Sequence, residues 1–158
     1  MMAVKTNAMR LLDQQSISYE LLTYDNRDGK IDGISVAAKI GRPAEIVFKT
    51  LVATGTSKNI YVFIIPVQAE LDLKKAAQAA GEKKVEMLPV KDIQKYTGYV
   101  RGGCSPLGMK KHYLTFIDDS AEQLEKMVVS AGKIGLQIEV VPAELLKAAQ
   151  AEYAELKK

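Results

Sequence analysis

Apolar positions recur along this chain in two rhythms, and the switches between them mark the elements. Val4, Ala8, Leu11 and Leu12 fall at helical spacing, which predicts a helix over roughly residues 3–15 with one face packed inward. Ser16–Tyr24 changes to a strand pattern carried by Ile17, Tyr19, Leu21 and Leu22. Asp25–Gly33 is polar and turn-rich, a surface loop. Ser35 is then placed to cap a short helix through Ala37, Ala38 and Ile40 that closes at Gly41. Two apolar runs, Ile46–Ala53 and Ile60–Val67, flank the turn Gly55–Asn59 and predict an antiparallel hairpin at the centre of a sheet.

The second half repeats the alternation. Leu71–Ala80 reads as a helix with a glycine cap at Gly81, Lys84–Leu88 as a short strand and Pro89–Tyr96 as a short helix. His112–Ile117 predicts a strand, followed by a helix for which Ser120 is a candidate cap. Met127–Ser130 and Leu136–Val141 predict two short strands around the Ala131–Gly135 turn, and Pro142 to the C-terminus an amphipathic helix. Its stripe of Leu145, Leu146, Ala149, Tyr153 and Leu156 is expected to pack against the core. Mixed elements with hairpin-type neighbours predict an α+β class: a single domain over residues 1–158, with a mixed, largely antiparallel, barrel-like sheet flanked by helices.

Composition narrows the function classes. At 158 residues, with 47% hydrophobic and 26% charged residues, the chain has the make-up of one globular domain. No apolar run reaches the roughly twenty residues of a membrane span, and Lys5, Arg10 and Asp13 interrupt any signal-like segment. One cysteine excludes an internal disulfide framework and fits a cytoplasmic location. One Cys and one His do not supply a transition-metal ligand set, and no Walker loop or Rossmann fingerprint is present, so neither a metal nor a cofactor is expected. The net charge of +3 is too mild for a duplex-binding protein, yet permits contact with a nucleic acid end.

Charge and glycine do concentrate in one place. The stretch Gly98–Lys111 holds four of the eleven glycines, the cysteine, Pro106 and three basic residues, Arg101, Lys110 and Lys111; Lys91 and Lys95 precede it closely. Gly102, Gly103, Cys104 and Ser105 ahead of Pro106 suit a row of exposed N–H groups aimed at an oxygen-rich ligand, with the lysines as an anion-facing rim. A tight connection with a solvated rim is the plainer alternative.

Lys49 is the other anomaly, a cation within Ile46–Ala53 where its strand-face neighbours are Val47, Leu51 and Ala53. Such an ammonium either snorkels to water from an edge strand or sits at the floor of a cleft facing a phosphate or carbonyl oxygen. Thr50 points to the opposite face of an ideal strand, and joins that site only where the strand begins or bulges. Cys104 and His112 are the only pair from which a thiol–imidazole dyad could be built, and no orienting third group accompanies them.

Several segments in order carry a wider likeness: Phe48-Lys-Thr-Leu51, Leu71-Asp-Leu-Lys-Lys75, Lys84-Val-Glu-Met87, Thr97-Gly-Tyr-Val100, Gly102-Gly-Cys-Ser-Pro-Leu-Gly108 with Lys110-Lys111, and Ser130-Ala-Gly-Lys-Ile-Gly-Leu136. Over roughly Leu11–Leu146 the chain resembles the YbaK/EbsC family, bacterial Cys-tRNA(Pro)/Cys-tRNA(Cys) deacylases related to the editing domain of prolyl-tRNA synthetase. The resemblance implies hydrolysis of the cysteinyl ester on the tRNA acceptor end, with prolyl-tRNA synthetase a candidate partner. It also implies an active-site role for Lys49, polar lining by Tyr24, Thr50 and Ser130, and a Gly-x-x-x-Pro loop at Gly102–Pro106, with Arg101 beside it. Gln137 stands where some relatives carry aspartate. In this scheme the substrate's own thiol attacks and leaves as a thiolactone, which makes Cys104 a bystander. A deacylase for another mischarged tRNA such as Ala-tRNA(Pro), or a non-catalytic module docking on a synthetase, are the competing expectations.

Overall fold

The computed structural model describes residues 5–158 and builds two sheets, the larger of them around one central hairpin strand. That strand, β2 (Phe48–Gly55), forms the expected antiparallel hairpin with β3 (Ile60–Pro66), in register from Phe48 opposite Pro66 to Thr54 opposite Ile60. The short β4 (Val85–Met87) pairs with β2 only over Ala53–Gly55. On the far side, β5 (Leu114–Asp118) runs parallel to β3, and β8 (Ala151–Ala154) parallel to β5, giving a five-stranded sheet of order β4-β2-β3-β5-β8. A three-stranded antiparallel sheet is built from β1 (Glu20–Thr23), β6 (Met127–Lys133) and β7 (Leu136–Val140), in the order β1-β7-β6.

The sheets touch through a parallel bridge between Val47 and Val128 and do not close. The α+β class and the mixed pairing therefore match expectation, while the barrel-like sheet resolves into two open sheets. A barrel would need continuous pairing around the ring, and among the described residues the β1, β4 and β8 edges have no strand beyond them.

Alternation along β2, β3 and β5 sorts side chains between two apolar layers. Phe48, Val62, Ile64 and Ile117 face the three-stranded sheet, where they pack with Met127, Val129, Ile138, Leu12 and Leu145. Tyr61, Phe63, Ile65 and Phe116 face the other way, onto Ala76, Ala77 and Leu156, with the Phe63 and Phe116 rings stacked 5.7 Å apart.

Helix boundaries follow their caps. In α1 (Asn7–Gln14), Thr6 accepts the Met9 N–H and donates its hydroxyl to Ala131 O at 2.5 Å, so one side chain both starts the helix and docks it on β6. Val4, part of the predicted helix, lies outside the described residues. In α2 (Gly33–Ile40) the cap is Asp32, which accepts the Ser35 N–H and hydroxyl; Ser35 sits inside the first turn. Carboxylates also outcompete the serine after β5: a 3-10 turn at Asp119–Gln123, not an α-helix, is capped by Asp118, with Ser120 as its donor. Helices α3 (Leu73–Ala80) and α4 (Val90–Thr97) end at Gly81 and Gly98, both left-handed as a C-cap requires.

The C-terminus departs most from expectation. Helix α5 (Pro142–Ala149) stops at Gln150, which takes a left-handed φ of 52°, and the chain continues as β8. Buried Asp118 holds this tail by accepting the Leu156 and Lys157 N–H groups at 3.0 and 3.3 Å. Pairing with the β5 edge and burial of Leu156 override the helical preference of the alanine-rich segment. Among the described residues no helix is long and apolar enough to cross a membrane.

Candidate active site

The cleft of interest opens where β2 changes partners. At Val47 the strand lies beside β6, and from Ala53 it lies beside β4. Between those points no strand pairs with its outer edge, and the resulting gap encloses about 380 Å³. Its walls include Phe48–Leu51 from β2, Ile31–Gly33 and Val36 from the start of α2, Val67, Arg101, Gly102 and Cys104 from the glycine-rich segment, and Ser130 and Gln137. Because the edge itself is open, Lys49 and Thr50 both reach the cleft although neighbours on a strand face opposite ways. Neither a bulge nor a strand start is needed.

Lys49 is half-buried, and burial pushes its pKa below the usual lysine value, with Glu70 acting weakly in the opposite direction. Its amine joins no ion pair among the described residues. The Thr50 hydroxyl is buried and has no hydrogen-bond partner among the described residues. An unsatisfied buried hydroxyl costs about 1–3 kcal/mol, so a donor or acceptor left this way next to a desolvated ammonium is poised for an incoming polar group. Ser130 and Gln137 stand directly opposite each other on β6 and β7, both buried, with the Ser130 hydroxyl accepting the Gly132 N–H at 3.1 Å.

The glycine-rich segment is held rigidly. Tyr99 donates its hydroxyl to Leu107 O at 2.6 Å, and burial pushes its pKa up to about 12. Thr97 ties α4 to the same segment by donating to Ile93 O and accepting the Tyr99 N–H. Gly102 takes a φ of +87°, a backbone conformation that favours glycine, and packs beside Ile31 at the cleft wall. Gly132, at φ +101° in the irregular stretch of β6, lets the Tyr99 ring approach the backbone in the same way.

Only part of the predicted loop faces the cleft. Arg101, Gly102 and Cys104 line it; Gly103, Ser105 and Pro106 do not. The Gly103 N–H bonds Val100 O at 3.0 Å, and a Cβ at Gly103 would lie 2.9 Å from Ile134 N, so the backbone of Lys133 and Ile134 closes over it. Ser105 is fully buried and accepts the Leu107 N–H, while Pro106 borders a separate, smaller cavity with His112 and Gly108. Of the expected row, the Gly103 N–H is used within the turn, and Gly102 and Cys104 are the residues that line the cleft.

The cysteine and histidine are not brought together. Cys104 lines the cleft, and burial raises its thiol pKa to about 11. His112 lies outside the cleft, with Nε2 3.3 Å from Ala149 O. Tyr24 is likewise absent from the lining: it is buried at the end of β1, with the Lys39 amine 6.0 Å from its ring centre and its hydroxyl unpartnered among the described residues. Asp32 and Gly33, at the end of the segment whose polar composition predicts a loop, form one wall. The available signal was the Asp-x-x-Ser cap pattern, which places a carboxylate at a helix start. No group of three or more His, Cys, Asp or Glu among the described residues is placed to hold a metal ion.

Comparison with known proteins bears on what such a cleft serves. The family model described as the aminoacyl-tRNA editing domain matches residues 32–148, a span that includes most of the cleft. The chain is 44% identical over 152 residues to the Enterococcus faecalis protein named "Putative Cys-tRNA(Pro)/Cys-tRNA(Cys) deacylase EbsC", covering 96% of this chain and 93% of that one. Among solved structures, one of a hypothetical protein matches with a TM-score of 0.88 at 20% identity, over 97% of this chain and all of that one. Another, described as "a putative trans-editing enzyme for prolyl tRNA synthetase", matches with a TM-score of 0.83 at 20% identity over 99% of each chain. At that identity the two structures speak for the fold.

Proposed function

The chain belongs to the aminoacyl-tRNA editing domain family, and from that premise we propose that it is a trans-editing deacylase, cleaving the cysteinyl ester of mischarged Cys-tRNA(Pro) and of Cys-tRNA(Cys). Residues 1–158 act as one editing domain, and the partner it engages is the aminoacylated acceptor end, with prolyl-tRNA synthetase as the candidate source of that substrate. One observation carries the reading: a half-buried, unpaired Lys49 ammonium sits in an open-edge cleft beside an unsatisfied Thr50 hydroxyl.

An aminoacyl ester is already activated, so acceleration mainly requires holding its carbonyl and stabilising the oxyanion that develops there. Lys49 supplies fixed positive charge, and the N–H groups of Gly102 and Cys104 supply donors from a backbone that cannot relax. Thr50, Ser130 and Gln137 orient the amino acid, and Arg101 at the rim meets the terminal phosphate. The nucleophile is the substrate's thiol. Its sulfur forms a bond to the carbonyl carbon, the ester C–O bond breaks, and the thiol proton ends on the released ribose hydroxyl. The products are free tRNA and the four-membered thiolactone, which water opens to cysteine. A protein thiol is not required: Cys104, protonated at neutral pH, contributes its backbone. Gln137 presents a neutral amide, so no step is assigned to a carboxylate at that position.

Selecting against cysteine by chemistry complements selection by size, since a pocket that admits a larger amino acid cannot strongly reject a smaller one. The test is multiple-turnover deacylation of Cys-tRNA(Pro) at low protein concentration with no synthetase present. Sustained turnover, reduced about 10²–10³-fold in Lys49→Ala by loss of the oxyanion's charge partner, is expected; Lys49→Ala turnover equal to wild type overturns the assignment.

A further inference from the structure

A second cavity, of about 370 Å³, lies outside the cleft and has no part in the scheme above. It is lined by Lys58–Tyr61, Tyr96 and Lys111–Leu114. Three tyrosines and a histidine in one small concavity are an unusual concentration, and two lysines stand at its mouth. Lys58, Lys111 and His112 are exposed, while the Tyr96 and Tyr113 rings are half-buried. The Tyr113 hydroxyl donates to Tyr96 O at 2.7 Å, which fixes that ring against α4. Glu82, the nearby carboxylate, is engaged by Ser57 and Tyr61 and is not free to pair with the lysines.

The segment between the two cavities is basic, with Arg101 lining the cleft and Lys111 lining the second cavity. From Arg101 at the cleft, Lys110 lies over Gly98 and reaches Lys95 O at 3.4 Å, and Lys111 follows at the second cavity. Arg101, Lys110, Lys95, Lys111 and Lys58 form no ion pair among the described residues. The distance can be read from the hairpin. Lys49 is opposite Ile65 and Thr54 opposite Ile60, so the two sites are about 17 Å apart along β2, five residues at about 3.4 Å each. That equals about five stacked nucleotides at 3.4 Å per step, and fewer in an unstacked strand.

Tyr61 is buried and the Lys95 amine lies 5.3 Å over the Tyr96 ring, which leaves the half-buried Tyr113 ring to meet a base while Lys58 and Lys111 meet phosphates. An aromatic face beside cations outside any ion pair is the chemistry that holds a single nucleic acid strand. We propose that the Lys58–Tyr96–Lys111–Tyr113 cavity is a second nucleotide subsite, holding a nucleotide of the unpaired acceptor strand a few positions upstream of the ester that occupies the cleft. This rests on the deacylase reading for the identity of the strand.

The test combines binding and turnover. Dissociation constants are measured by fluorescence anisotropy for an uncharged acceptor-stem hairpin with an unpaired 3′ end, using wild type, K58A/K111A and the equal-charge-loss control K126A/K147A, whose lysines line neither cavity. For K58A/K111A we expect Kd to rise about tenfold. The slope of log Kd against log salt should shrink by about 1.4, two single-strand phosphate contacts at about 0.7 each. The KM for Cys-tRNA(Pro) should rise in parallel with kcat unchanged, while the KM for 2′(3′)-O-cysteinyl-adenosine, too short to reach the second cavity, stays at the wild-type value. Unchanged hairpin affinity, an equal loss in K126A/K147A, or an equal loss on the short ester would overturn the subsite. If wild type cleaves neither ester yet hairpin binding still depends on Lys58 and Lys111, the deacylase reading falls and the RNA subsite stands.

Discussion

Replacing Thr50 by valine should make the protein more stable and less active at once. The hydroxyl is buried on the open β2 edge without a partner among the described residues, and burying an unpaired hydroxyl costs about 1–3 kcal/mol. Valine keeps the β-branched shape that a strand favours and replaces the hydroxyl with a methyl group. The variant should therefore gain about 1–2 kcal/mol, and at this chain length each kcal/mol raises Tm by roughly 2–4 °C. Urea denaturation and a thermal melt on matched samples would measure it. Activity moves the other way. A neutral hydrogen bond that orients the amino acid is worth about 0.5–1.5 kcal/mol, so kcat/KM on a cysteinyl ester should fall about twofold to tenfold. A Thr50→Val protein less stable than wild type would refute the reasoning, because the hydroxyl would then be satisfied in the free protein and not held in reserve.

Asp118→Ala should destabilise the fold by about 1–3 kcal/mol or more, since it strips a buried acceptor from four donors on Ser120, Leu156 and Lys157; loss of amide-exchange protection at Leu156 and Lys157 ahead of the β2–β3 hairpin would check it. For pH, the active form of Lys49 is the ammonium and burial lowers its pKa, so deacylation corrected for spontaneous hydrolysis should decline as pH rises through a value below 10.5; Lys49→Arg, which stays charged, should remove that decline. With its pKa near 11, the Cys104 thiol is about one part in a thousand thiolate at pH 8. Iodoacetamide should thus label native protein far more slowly than urea-unfolded protein, and Cys104→Ser should retain most activity.

How much of this was legible in the sequence depends on whether a feature is local. The β2–β3 hairpin and the glycine ends of α2 and α3 are written in spacing and residue type, and they stand as expected; Lys49 stands out in the sequence and lines the cleft. Caps were misassigned where an aspartate precedes a serine, since Asp32 and Asp118 are the stronger acceptors. Strand β8 was invisible because Ala151–Ala154 has little strand preference of its own and pairs only because β5 offers an edge. The shared membership of Lys49 and Thr50 in one cleft follows from β2 leaving β6 for β4, a tertiary event no periodicity records. Likewise, a glycine-rich segment does not reveal which of its N–H groups its own turns will use; here Gly103 and Leu107 are spent and Pro106 faces away.

The central claim is a cleft that removes cysteine from tRNA by way of the substrate's thiol. Initial rates of deacylation for Cys-tRNA(Pro) and Ala-tRNA(Pro), measured side by side with the same purified protein, test it most directly. The account predicts rapid release of cysteine with alanine left essentially uncleaved; equal rates on the two, or a preference for alanine, would contradict it.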